Sequence, residues 1–177
     1  RDLGVTEPGE IDLDAIAFHC GATVQCAPLK GCAAHIIGHG DRAVITIDQG
    51  SARPRRRFSI GHELGHWMWH RGRALSCQQR DMDKPWSALD PEAVANGFAA
   101  DLLMPEFLFR PRVDGKAVSF DTVDRMAGEF SVSRSAAAIR VVDLASFEAM
   151  VLCFGRAGIE WFHGSARVKD HLWPHKQ

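Results

Sequence analysis

The sequence predicts an α+β domain: a small sheet, two helices that can carry a metal centre, and a helix-turn-helix-like appendage. Three observations predict it. An apolar helical stretch contains His62-Glu63-Leu64-Gly65-His66. A second apolar helix begins at Asp90-Pro91-Glu92, and short β-branched runs precede both. The size, 177 residues and 19.5 kDa, suits one domain or one domain with a small appendage.

The elements follow in chain order. Ile11, Leu13, Ile16 and Ala17 have helical spacing over residues 11–20, and Gly21 stops that helix. Ala22–Pro28 and Ala33–Ile37 read as short strands, and Ala43–Asp48 as a third after the Gly38–Asp41 turn. Pro54 opens a helix expected to run to about Arg71. Residues 72–90 are polar and irregular and hold Cys77 and Trp86. Asp90 is a good N-cap with Pro91 in the first turn, so a helix should follow to Leu103 or Met104. Pro105 starts a short helix that Pro111 is expected to end. Asp121–Glu129 and Ser133–Leu144 read as two helices about the turn Phe130-Ser131-Val132, and Phe147–Phe154 with Ile159–Phe162 as a hairpin. The expected organisation is therefore a core over 1–115, a helical subdomain over 116–146, and a hairpin and tail over 147–177.

Composition narrows the classes. At 46% hydrophobic and 24% charged residues the chain is neither disordered nor fibrous. The longest apolar runs are a few residues, so no membrane span is expected, and no secretory signal is visible. Five cysteines without a CxxC pair argue for a reducing compartment, the cytoplasm. The net charge of −1 is uneven: residues 1–50 sum to −4 and residues 51–80 to +6. Much of the basic segment is Arg53, Arg55, Arg56 and Arg57. It reads as a solvated face or as a patch for an anion, single-stranded DNA included.

The chemistry concentrates at His62, Glu63 and His66. Residues four apart on a helix face the same way, so both imidazoles can address one ion. Glu63 lies beside them, where a carboxylate can take a proton from water on that ion. Nine His and eight Glu in the chain make a chance match roughly a 0.02 event. Zinc needs a third protein ligand and an open position. His70 lies roughly 6 Å further along the helix axis and reads as support or packing. Glu92 is the better candidate, in the first turn of the next apolar helix, with Asn96 one turn on to hold a ligand in place. Asp90 is the alternative ligand, and Glu92 is otherwise a helix-start charge.

Arg56–His70 (RRFSIGHELGHWMWH) and Glu92–Pro105 (EAVANGFAADLLMP) resemble the ImmA/IrrE-type metallopeptidases, a gluzincin-like family. The resemblance extends to Ile11–Val24, Asp41–Asp48 and Ala127–Arg140. It implies Zn2+ on His62, His66 and Glu92, with Glu63 as general base. It implies a cytosolic protease that cuts a helix-turn-helix transcriptional repressor and so derepresses a stress, DNA-damage or defence operon. Some members carry a further sensor domain, of which the C-terminal stretch is expected to hold at most the start. The alternative is a non-catalytic DNA- or protein-binding regulator that retains the metal fold.

Three residues carry narrower expectations. Thermolysin-like enzymes hold the oxyanion with a Tyr or His; this chain has no Tyr, so the role falls to a His, an Arg or the zinc alone, with His163, beside Trp161 and Phe162, as the candidate side chain. Cys77 can place a thiolate on the open metal position and block it, or be an ordinary loop thiol. Ala43–Asp48 is the strand expected to pair with an extended substrate. The second helix of the appendage offers only Arg134 and Arg140 as basic groups, which favours packing over reading DNA.

Overall fold

The computed structural model describes residues 4–70, 90–116 and 118–174. Cys77 and Trp86 lie outside the described residues.

The first helix, α1, spans Leu13–His19 and starts later than its apolar spacing suggests. The Asp12 carboxylate accepts from the Asp14 and Ala15 amides and fixes the N-terminus there. Ile11 is buried just ahead of it. Gly21, at φ +83°, makes the left-handed turn into the sheet, and a Cβ there would meet the Asp41 carbonyl oxygen at 2.5 Å.

Three strands follow: β1 (Ala22–Ala27), β2 (Ala34–His39) and β3 (Arg42–Asp48). Their order is β1-β3-β2, with β3 parallel to β1 and antiparallel to β2. The substrate-pairing expectation for Ala43–Asp48 is thereby corrected. That strand is central, with both edges occupied, so its backbone groups are spent on β1 and β2. Ile45 and Ile47 of the central strand are fully buried.

The long helix α2 (Arg53–His70) docks on the sheet. Trp67 is the anchor: its indole Nε1 donates to the Cys20 carbonyl at 2.8 Å, and its ring lies where a Cβ on Gly38 would sit. Helix α3 (Pro91–Leu103) starts on Asp90, whose carboxylate accepts from the Glu92 amide. Helix α4 (Glu106–Val113) continues through Pro111 instead of ending there. Proline's fixed φ is helical, Leu108 and Phe109 are buried, and the Arg112 guanidinium donates to the Leu108 carbonyl at 2.8 Å.

Helices α5 (Phe120–Phe130) and α6 (Arg134–Asp143) are capped by Ser119 and Ser133. Ser131 turns between them at φ 52°. Val123, Met126, Phe130, Ala137 and Val141 join the same buried cluster as Leu64, Trp67 and Ile45. Strands β4 (Met150–Gly155) and β5 (Gly158–Gly164) form the antiparallel hairpin, with a bulge at Cys153/Phe154. Among the described residues, no helix is long and apolar enough to cross a membrane.

Candidate metal centre

The centre is made where α2 and α3 touch. Gly61 and Gly65 face Ala99 and Ala95: a Cβ on Gly65 would stand 3.0 Å from the Ala95 Cα, and one on Gly61 3.2 Å from the Ala99 Cα. Small residues on both helices remove the usual side-chain spacer, so the backbones approach closely. Glu92, one turn before Asn96, is thereby carried within reach of the α2 imidazoles. This seam is what residue-by-residue reading of the sequence missed. Its signal was present: glycines four apart, one just before the histidine motif and one inside it, and alanines four apart on the next helix.

His62 Nε2 lies 3.2 Å from Glu92 Oε2, and His66 Nε2 lies 3.2 Å from Glu92 Oε1. The two Nε2 atoms are 3.1 Å apart. Three donors about 2.0–2.1 Å from one zinc ion at tetrahedral angles stand about 3.3–3.4 Å from each other. The observed triangle matches that spacing. Its polarity matches too. His62 Nδ1 sits 2.9 Å from Asn96 Oδ1, a carbonyl oxygen that can only accept, so the ring proton is on Nδ1. The Nε2 lone pair then faces a carboxylate oxygen and a second imidazole nitrogen, an arrangement that a cation stabilises. His62, His66 and Glu92 therefore fit a metal ion.

Electrostatics favour the ligand forms. His62 is fully buried, and its pKa falls from 6.5 to about 4. Burial is the largest cause, followed by repulsion from His66. A neutral imidazole is what a metal requires. Glu63 is also fully buried, and its pKa rises from 4.5 to about 8, through burial first and the Glu92 charge second. Among the described residues, neither Glu63 carboxylate oxygen has a hydrogen-bond partner. A carboxylate so placed is costly unless it has work to do.

The other named residues scatter. His163 lies on β5, where its Nε2 meets Asp143 Oδ1 at 2.5 Å and is thereby tied to the end of α6. His70 ends α2. The arginine run splits. Arg53 and Arg56 are exposed. Arg57 turns inward to donate to the Ile11 carbonyl at 3.3 Å, and its pKa is lowered by burial and by the Arg53 charge. Arg55 lines a groove between α2, α3 and α6.

Residues 21–142 match the M78 peptidase family, described as an IrrE N-terminal-like domain. Among solved structures, a "Mycobacterium tuberculosis transcriptional regulator" aligns with a TM-score of 0.63 at 17% identity. The alignment covers 96% of this chain and 53% of that one, so this chain spans about half its length. At that identity the likeness speaks to the fold. No functionally curated protein matches the chain.

Proposed function

This chain belongs to the M78 family of metallopeptidases, and on that premise we propose that it is a zinc-dependent endopeptidase. We infer that its substrate is a helix-turn-helix transcriptional repressor, whose cleavage derepresses a stress, DNA-damage or defence operon. The neighbour of like fold is itself named a transcriptional regulator, which accords with a role in regulation.

The observation that carries the reading is Glu63. A purely structural metal site needs no second buried carboxylate beside its ligands, whereas hydrolysis needs a base there. His62, His66 and Glu92 would hold the ion and leave one position open, and nitrogen and oxygen donors on such a helix favour zinc. Zinc, when bound, supplies Lewis acidity that polarises the peptide carbonyl and acidifies water. Raised to about 8 in the metal-free protein, Glu63 would ionise beside a bound dication, and it then takes the proton of the attacking water as the new C–O bond forms. It passes that proton to the leaving amine as the C–N bond breaks. Asn96 keeps the His62 proton on Nδ1 so that Nε2 remains a donor to the ion. A role for His163 at the oxyanion requires it to leave Asp143. Arg53 and Arg56 are the exposed cations for a single-stranded DNA activator.

The test is cleavage of the repressor encoded beside this protein's own gene, with zinc, and with and without a single-stranded oligonucleotide. Wild type should cut. Glu63→Gln should cut about 10²–10⁴-fold more slowly at unchanged metal content. Equal rates would reject Glu63 as the base, and no cleavage by wild type would leave the non-catalytic regulator.

A further inference from the structure

One stripe of α2 is buried and polar. Ser59, His62, Glu63 and His66 stand at the helical spacing i, i+3, i+4 and i+7, and each is buried. A second stripe, Ile60, Leu64 and Trp67, joins the apolar core. Ser59 is fully buried, and among the described residues its Oγ has no hydrogen-bond partner. The ordinary outlet for a serine inside a helix is the carbonyl four residues back. Ser59 does not use it. A site that asked only for a small side chain would be filled by alanine, as Ala95 and Ala99 do on the facing helix. A hydroxyl buried without a partner is destabilising.

Glu63 lies one turn further along the same stripe, and both its carboxylate oxygens also lack a partner among the described residues. Helical side chains lean toward the N-terminus of their helix, which carries the Glu63 carboxyl back over the turn of Ser59. Residues at i and i+4 have Cβ atoms about 5–6 Å apart, a gap that a glutamate chain spans. A serine hydroxyl rotates to suit its acceptor. A donor and an acceptor, each without a partner, thus stand in adjoining turns of one buried face. Hydrolysis sharpens the need. One oxygen of the Glu63 carboxylate must face the water. The other stays in the protein interior, where an ionised oxygen requires a donor.

We propose that Ser59 is the positioning residue for Glu63: in the zinc-loaded protein its hydroxyl donates to one carboxylate oxygen and so turns the other toward the water. The contact rests on the helix face, and its catalytic consequence rests on the peptidase reading. The base is then held from its own helix, as His62 is held by Asn96 from α3.

The contact is tested without turnover, by urea unfolding of the full chain in saturating zinc. Ser59→Ala should lower the midpoint when Glu63 is present, because it leaves the carboxylate without its donor. Glu63→Met replaces the acceptor by an apolar chain of similar length. In that background Ser59→Ala removes a hydroxyl that has no partner, and the midpoint should rise or stay unchanged. Equal downward shifts in both backgrounds make the two residues independent and overturn the proposal. An upward or absent shift with Glu63 present overturns it too. Zinc stoichiometry equal to wild type certifies that each variant is folded. The consequence is read on the repressor substrate. Ser59→Ala should lower kcat about 10–100-fold with KM unchanged. In the Glu63→Gln background it should lower kcat no further, because the two residues act as one unit. A Ser59→Ala kcat within about twofold of wild type, at equal zinc content, overturns the positioning role. A wild type that does not cut overturns the peptidase reading and the catalytic consequence with it, whereas the contact is judged by the urea midpoints alone.

Discussion

Two helix pairs in this chain pack in opposite ways. In α2–α3 the seam is glycine against alanine, and the side chains buried beside it are polar: His62, Glu63, His66 and Asn96. In α5–α6 the buried side chains are apolar, Val123, Met126, Phe130, Ala137 and Val141 among them. The charges of that pair stay at the surface, as in Arg134–Asp124 at 2.5 Å and Arg125–Glu129 at 3.1 Å. Large apolar side chains supply the area that stabilises a fold. Small ones supply little area but permit close backbone approach. The first pair therefore holds geometry, and the second supplies cohesion.

Separate substitutions in the two pairs should break stability and metal affinity independently. Phe130 is 1% exposed, with its ring 5.1 Å from that of Phe109. Phe130→Ala should cost about 3–5 kcal/mol of unfolding free energy while leaving the metal affinity of the folded protein unchanged. Gly65→Ala should do the reverse. Alanine gains about 1 kcal/mol of helix propensity, and overpacking against Ala95 costs about 1–3 kcal/mol, so the net loss of stability is small. Displacing α3 by a few tenths of an ångström, however, moves Glu92 away from the imidazoles. Metal affinity should fall about tenfold or more. Denaturant titration and metal-competition titration on both variants read the two quantities. Parallel losses in both would contradict the division.

A smaller effect concerns pH in the metal-free protein. Glu63 is raised from 4.5 to about 8, so the folded state holds its proton more tightly than the unfolded state does. That contribution is full below pH 4.5 and is lost as pH rises through 8. His62 is lowered from 6.5 to about 4, so its contribution is full above pH 6.5 and is lost as pH falls through 4. The two oppose each other below pH 6.5, and only Glu63 acts above it. Between pH 6.5 and 8 the chelated protein should lose on the order of 1–2 kcal/mol. Urea midpoints under chelator measure this, and Glu63→Gln should abolish the slope. A flat wild-type profile would show that burial does not govern Glu63.

The legible parts of the molecule were those set by local periodicity. Two histidines four apart on an apolar stretch can face only one way, and Asp90 with Pro91 marks a helix start whatever surrounds it. Strand order was not legible, because β3 is central through a crossover that no local pattern encodes. The start of α1 moved because a side-chain cap outweighs apolar spacing, and α4 ran through Pro111 because burial of Phe109 holds that turn. The groove arises from three segments distant in sequence, so it exists only once the core has formed. The close approach at Gly65 and Ala95 is a property of a pair of helices, although both halves of it were written in the chain.

The most direct test of the central claim is the metal content of purified protein after equilibration with zinc, for wild type, His62→Ala and Glu92→Gln. Wild type should hold about one ion per chain, and each variant should bind at least tenfold more weakly. A wild-type protein that stays metal-free in stoichiometric zinc, or a Glu92→Gln variant that binds as tightly as wild type, would contradict a centre built from both helices.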